Sequence, residues 1–250
     1  MHPLTGTLSF LSLALAACSG HAGEIRAAVA ANFTAPAQMI AEQFHADSGH
    51  RLKLSFGSTG KFYSQIKAGA PFDVLLAADD ETPTKMGKEG LADPAGEFTY
   101  AIGKLVLWSK QPGFVDGKGH VLQGKFAKLA IANPKLAPYG LAAQETLESL
   151  GLWSGIRNRV VMGESISQTM QFAATGNADL AFIALSQTIK DGKPIEGSSW
   201  LVPKQLYNPI RQDAIVLAKP QDKAAAEAFL KYLKSEKAVA IIRSYGYELP

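Results

Sequence analysis

The stretch Ser55 to Gly69, SFGSTGKFYSQIKAG, sets a Ser-Thr pair between two glycines, follows it with a lysine and opens an amphipathic helix. Hydroxyls and free backbone N–H groups at such a turn are anion chemistry. The pattern argues against a nucleotide triphosphate, whose loop needs four residues between its glycines and a Ser or Thr after the lysine. Gly57 and Gly60 have two residues between them, and Phe62 follows Lys61, so no hydroxyl is supplied for magnesium. The simplest structural role for Ser58 and Thr59 is a helix N-cap.

Three other places repeat the arrangement of strand, polar turn and helix. Strand 25–30 ends in AANFT, with Asn32 before a helix. Strand 128–132 ends in NPKLAPYG, with Tyr139 and Gly140 opening a helix, and strand 158–163 ends in GESIS, with Ser165 and Ile166. At each, unpaired N–H groups and the positive end of a helix face whatever lies beyond the strand. The added side chains are mainly neutral donors: Asn32, Ser58, Thr59, Tyr139 and Ser165. Glu164 is the one carboxylate nearby and is expected to point outward. A pocket of donors with few acceptors disfavours a protonated oxyanion, which needs an acceptor of its own. It suits a fully deprotonated dianion such as sulfate, molybdate or tungstate.

The elements that would position these turns alternate. Short apolar strands at 25–30, 51–56 and 72–78 are separated by helices that follow 34 and 58, and a helix is expected over 81–89 with Asp79-Asp80 as its cap. After the β-like run Tyr100 to Lys110 the alternation restarts, with strands at 128–132, 158–163 and 179–185 and helices at about 139–150 and 166–175. A second long β-segment, Arg211 to Lys219, precedes two helices parted near Ser235. Such alternation predicts an α/β fold of two lobes, each a mostly parallel sheet flanked by helices. The two long β-segments are expected to be the crossovers, giving lobe I as 24–104 plus 212–250 and lobe II as 105–211. Ligands of such sheets sit beyond the carboxyl ends of the strands, and a cleft between lobes is a favoured place.

The remaining features narrow the function classes. Of the 250 residues 19% are charged, with a net charge of +3 and no run of basic residues, so nothing favours nucleic acid or a membrane surface. Residues 1–23 lack Asp, Glu, Lys and Arg, and Leu8 to Ala17 is an apolar run of signal-peptide length. The single cysteine, Cys18, excludes an internal disulfide and a cysteine metal cluster. Leu15-Ala16-Ala17-Cys18 resembles a bacterial lipobox, which would make Cys18 a lipidated N-terminus; the competing reading is cleavage after Ala22 or Gly23.

Three segments carry a closer likeness: SFGSTGKFYSQIKAGAPFDVLLAAD, NPKLAPYGLAAQETLESLG and GESISQTMQFAATGNADLAFIALS. In these, and along nearly all of the mature chain, the sequence resembles the periplasmic molybdate-binding proteins of ABC-type importers, within the type II periplasmic binding proteins. The resemblance implies a two-lobed fold that holds molybdate or tungstate by neutral hydrogen bonds from both lobes, without a resident cofactor, metal cation or arginine. Asn32 then matches a donor after the first strand, and Thr59, with Ser58 beside it, the hydroxyl and amide of the second turn. Ile166 matches an aliphatic residue that gives its backbone N–H. Tyr139 stands where some members use only a backbone amide and others a hydroxyl. Several relatives carry a ligand tyrosine where this chain has Ala184, and Tyr139 is expected to supply the missing hydroxyl. The resemblance also implies a periplasmic monomer whose partners are a membrane permease and its cytoplasmic ATPase, touching the membrane only through them or through a lipid on Cys18.

Other readings are weaker on the residues. A secreted serine hydrolase would need a base, but the five histidines are scattered and no Gly-x-Ser-x-Gly elbow is present. A metal-binding lipoprotein would need clustered His or Cys spacing, which is lacking. Sulfate remains a rival oxyanion. An iron carrier would need clustered tyrosines near an acid or histidine, and Tyr245 and Tyr247 lie in a tail where packing is their expected role.

Overall fold

The computed structural model describes residues 23–190 and 192–250, so the leader, with Cys18 and Ala22, lies outside the described residues. In chain order the elements are β1 (Glu24–Ala30), α1 (Thr34–Ser48), β2 (Arg51–Gly57), α2 (Thr59–Lys67), β3 (Val74–Leu76), α3 (Glu81–Lys88) and β4 (Ala92–Gly103). There follow β5 (Leu105–Ser109), β6 (Leu129–Ala132), α4 (Pro138–Ser149), α5 (Trp153–Ile156), β7 (Val160–Gly163), α6 (Ile166–Ala174) and β8 (Leu180–Ala184). The chain closes with β9 (Ile189–Lys190), β10 (Lys193–Pro194), β11 (Ser198–Leu201), β12 (Ile210–Leu217), α7 (Lys223–Tyr232) and α8 (Glu236–Ser244).

Two five-stranded sheets result, ordered β2-β1-β3-β12-β4 and β11-β5-β8-β6-β7. Both are mixed. β1 pairs in parallel with β2 and β3, and β6 with β7 and β8, whereas β12 runs against its two neighbours and β5 against its own. The parallel pairs follow from helical crossovers, which need a covered sheet face on each side. Alternation along β1 provides this: Ala27 and Val29 pack with α1, α7 and α8, while Ala28 packs with Phe62 and Ile66 of α2 and Met86 of α3. The second sheet is covered likewise, by a large cluster that includes α4 on one face and a smaller one with α6 on the other. The two C-terminal helices lie on the first sheet, as Phe229 and Ile242 in its core show.

Two of the crossing segments differ from the sequence expectation. The run Tyr100 to Lys110 is not one strand: β4 ends at Gly103 in the first sheet and β5 begins at Leu105 in the second, with Lys104 between. β12 does not cross at all. It lies wholly in the first sheet, and the return from β11 is made by residues 202–209. The first run looks uniformly β-like because strand periodicity carries no mark of a change of sheet, and for the same reason the second carries no sign that it stays in one.

Candidate functional site

Strand register gathers the polar turns. Ala30 pairs with Gly57 and Val29 with Leu76, so the carboxyl ends of β1, β2 and β3 form one edge. In the second sheet Ala132 pairs with Gly163, which sets the starts of α4 and α6 side by side. Gly140 makes this possible, since a Cβ there would fall 2.1 Å from the Ala132 carbonyl oxygen.

The two edges enclose one small cavity, and Asn32, Ser58, Thr59, Tyr139 and Ile166 all line it. The rest of its wall is Ala30, Ala31, Gly57, Ala78 and Ala137, so no charged side chain reaches it. Its free volume is about 10 Å³, the scale of a single compact species. A larger groove of about 450 Å³ runs beside it, with Asp79, Asp80 and Arg211 on one side and Lys135 and Glu145 on the other. Its mixed charges make no consistent donor set.

The five lining residues differ in how they are held. Ser58 occupies the N-cap position of α2 with extended backbone, yet its side chain caps nothing. Its Oγ is buried without a hydrogen-bond partner among the described residues. The N-cap role expected of this serine is therefore not the one its side chain performs. Thr59 Oγ1 accepts the Ala78 N–H at 2.9 Å, which leaves its own hydrogen to donate. Tyr139 and Ile166 stand in the first turns of α4 and α6, where a helix offers backbone N–H groups no carbonyl. Ser165, by contrast, is spent on capping: its Oγ accepts the Gln168 N–H at 3.3 Å. Glu164 points outward, as expected, and forms an ion pair with Lys61 across the two lobes. Asp79, not Asp80, caps α3 by accepting the Thr82 N–H at 2.7 Å.

Asn32 sits on a buried polar network drawn from distant parts of the chain. Its Nδ2 donates to Gln212 Oε1 at 2.8 Å and to Tyr247 Oη at 2.9 Å. Gln212 Nε2 donates to Tyr139 Oη at 3.2 Å, and Tyr100 Oη lies 3.1 Å from Gln212 Oε1. Ser186 Oγ donates to the Asn32 carbonyl oxygen at 2.8 Å. Burial pushes the hydroxyls of Tyr100, Tyr139 and Tyr247 well above the usual tyrosine range, so each keeps its hydrogen. Tyr247 thus belongs beneath the site and is more than tail packing, whereas Tyr245 does pack, its hydroxyl on Met39 Sδ at 3.3 Å. The C-terminal segment reaches this place through an antiparallel bridge from Glu248 to Ile102. Nothing local in GYELP signals that contact. Gln212 had a faint signal, a glutamine inside the apolar strand IRQDAIVL. Ala184 is buried in β8 and does not line the cavity.

Among the described residues no three His, Cys, Asp or Glu side chains gather as a metal site. The arrangement presents uncharged N–H and O–H groups to a compact acceptor.

Comparison with known proteins agrees with this chemistry. Residues 25–248 match the family described as bacterial extracellular solute-binding protein. The molybdate-binding protein ModA of Azotobacter vinelandii is 56% identical over 240 residues, covering 96% of this chain and 95% of its own length. ModA of Rhodobacter capsulatus is 52% identical over 227 residues, covering 90% and 88%. The solved structure of the Azotobacter vinelandii periplasmic molybdate-binding protein superposes with a TM-score of 0.88 at 44% identity, over 90% of this chain and 99% of that one. With these relatives, the chain belongs to the bacterial extracellular solute-binding proteins: it binds a solute and catalyses no reaction.

Proposed function

We propose that the protein captures molybdate, and tungstate with it, in the periplasm and delivers the anion to an ABC permease driven by its ATPase. The observation that carries this reading is the buried, unpartnered Ser58 Oγ in a cavity without a charged side chain. A buried hydroxyl without a partner costs stability, and an oxyanion oxygen is the partner it lacks. Ser58 and Thr59 would donate through their hydroxyls, and Tyr139, Ile166 and Asn32 through backbone N–H groups, the two amide hydrogens of Asn32 being taken by Gln212 and Tyr247. The relatives' names point to molybdate, and the small cavity argues against an organic solute.

The donor set favours a proton-free dianion over hydrogen phosphate, which would bring a hydrogen where donors already stand. Sulfate is the rival. Discrimination against it would come from size, since Mo–O and W–O bonds are longer than S–O bonds and a rigid cage cannot satisfy both. A single copy holds the whole cavity, in keeping with a monomer. Export relies on the leader, and the mass of the mature N-terminus distinguishes a lipid on Cys18 from cleavage near Ala22 or Gly23.

Calorimetric titration with molybdate, tungstate, sulfate and phosphate at neutral pH tests the reading. Molybdate and tungstate should bind with similar affinity, and at least a hundredfold more tightly than the other two. Sulfate or phosphate binding as well as molybdate would overturn it.

A further inference from the structure

Two stretches of chain join the sheets, and both pass one carboxylate. The first crossing is Lys104, between β4 and β5, and the second is the return through residues 202–209. The crossings touch each other: the Leu105 N–H donates to Tyr207 Oη at 3.2 Å, and the Val202 N–H to the Leu105 carbonyl at 3.0 Å. Glu248 ties both to a third segment. Its backbone exchanges hydrogen bonds with Ile102, at 2.7 and 3.0 Å. Its Oε1 lies 3.1 Å from Lys104 Nζ, and its two oxygens accept from Lys204 Nζ at 2.9 and 2.7 Å. Two carboxylate oxygens offer about four acceptor sites, enough for both ammonium groups. Lys204 and then Lys104 hold the carboxyl below its usual range, so it stays charged at neutral pH.

The same segment reaches the cavity wall. Side chains of an extended chain alternate, and Tyr247, next to Glu248, puts its hydroxyl 2.9 Å from the Asn32 carbonyl and 3.0 Å from Ser186 Oγ. Asn32 lines the cavity from the first lobe, and Ser186 follows β8 in the second. The first crossing also abuts the wall, since a Cβ at Gly103 would fall 2.1 Å from Tyr139 Oη. A two-lobed protein opens by changing backbone angles at a few crossing residues. Rotation there displaces the groups that the crossings carry, whereas one carboxylate fixes Lys104 and Lys204 at the spacing of the closed form. Without that carboxylate the two lysines are like charges held side by side, and attraction turns to repulsion.

We propose that Glu248 is a positioning residue for anion capture, a clasp that holds the two crossings at the spacing where the lobes meet around the cavity. It touches no ligand and acts through the population of the closed form. The inference rests on the molybdate reading, which supplies the ligand.

Radiolabelled molybdate chased with the unlabelled anion gives the release rate, and calorimetry gives the affinity. Glu248→Gln should raise the Kd about three- to tenfold, the scale of a pair of exposed ionic contacts, and release should quicken by a similar factor. Adding Lys204→Gln to Glu248→Gln should recover part of the loss, because Lys104 then has no like charge beside it. A residue that only stabilised the fold would lower the unfolding midpoint, with no change in release and no rescue. Wild-type Kd and release in Glu248→Gln, or a double variant that binds more weakly than the single one, would overturn the inference and leave molybdate binding standing. A wild-type protein that does not bind molybdate would overturn both.

Discussion

Ser58 and Thr59 are adjacent hydroxyls with opposite relations to the protein. Ser58 Oγ serves nothing in the fold, whereas Thr59 Oγ1 holds the Ala78 N–H. Ser58→Ala should therefore leave thermal stability unchanged or slightly raised, because it removes a buried unpaired group. It should still weaken molybdate binding about tenfold or more, the scale of one hydrogen bond to a charge. Thr59→Ala should weaken binding similarly and also cost about 1 kcal/mol of stability, because it leaves a buried N–H unpaired. Calorimetry and thermal unfolding of both variants check the contrast, and equal stability losses would contradict it. At this scale the lining residues were legible because each sits at a strand–turn–helix junction, a local pattern. Gln212 and Tyr247 were not, because they meet Asn32 across 180 and 215 residues of chain, and no local periodicity encodes such a meeting.

Asp73 precedes strand β3 and Asp79 lies in the turn that follows it, and the two respond to pH in opposite senses. Burial would raise Asp73, but Arg26 and the Gln221 N–H outweigh it and hold the carboxyl below its usual range. Asp73 thus adds stability above the unfolded pKa, and that stability is lost as pH falls through the lowered value. Asp73→Ala should destabilise by about 3 kcal/mol at neutral pH, since it strands Arg26 and two backbone donors. Asp79 is pushed up to about 6, chiefly by burial, with the Thr82 N–H opposing. The native state then holds a proton that the unfolded chain releases, so stability falls as pH rises from about 4 to 6. Asp79→Asn keeps an oxygen for Thr82 and should be more stable than wild type at pH 7.5, by about 1–3 kcal/mol. Near pH 4 the gain should vanish, and urea unfolding at the two pH values decides it. Element types and order were readable here because β3 is almost wholly apolar and α3 has its acidic start. The β4 segment from Ala92 to Thr99 was not, since ADPAGEFT has neither alternation nor β-branched density, and pairing with β12 imposes its form.

The closed shape of the whole molecule depends on contacts between lobes that no single sheet contains. The Gly60 N–H donates to the Leu136 carbonyl at 2.9 Å, and a Cβ at Gly60 would lie 3.0 Å from the Leu136 Cα. Lys61 and Glu164 meet nearby, and Ser186 Oγ holds the Asn32 carbonyl from the other lobe. These contacts act only when the lobes are together, so they set how much of the population is competent to bind. The Lys61–Glu164 pair is exposed and contributes less than about 1 kcal/mol, so Glu164→Gln should change affinity no more than a few-fold. Gly60 is different because a methyl group there meets the backbone of Leu136, in the loop between β6 and α4, rather than the end of a flexible side chain. Gly60→Ala should hold the lobes apart and raise the apparent Kd about tenfold or more, in proportion to the closed fraction lost. Thermal stability of the ligand-free protein should change little, since neither lobe's core is touched. Small-angle scattering through a molybdate titration separates this from a local defect. The variant should compact to the wild-type radius, but only at higher molybdate concentration. Wild-type affinity in Gly60→Ala would mean that the cavity is completed without this approach of the two lobes.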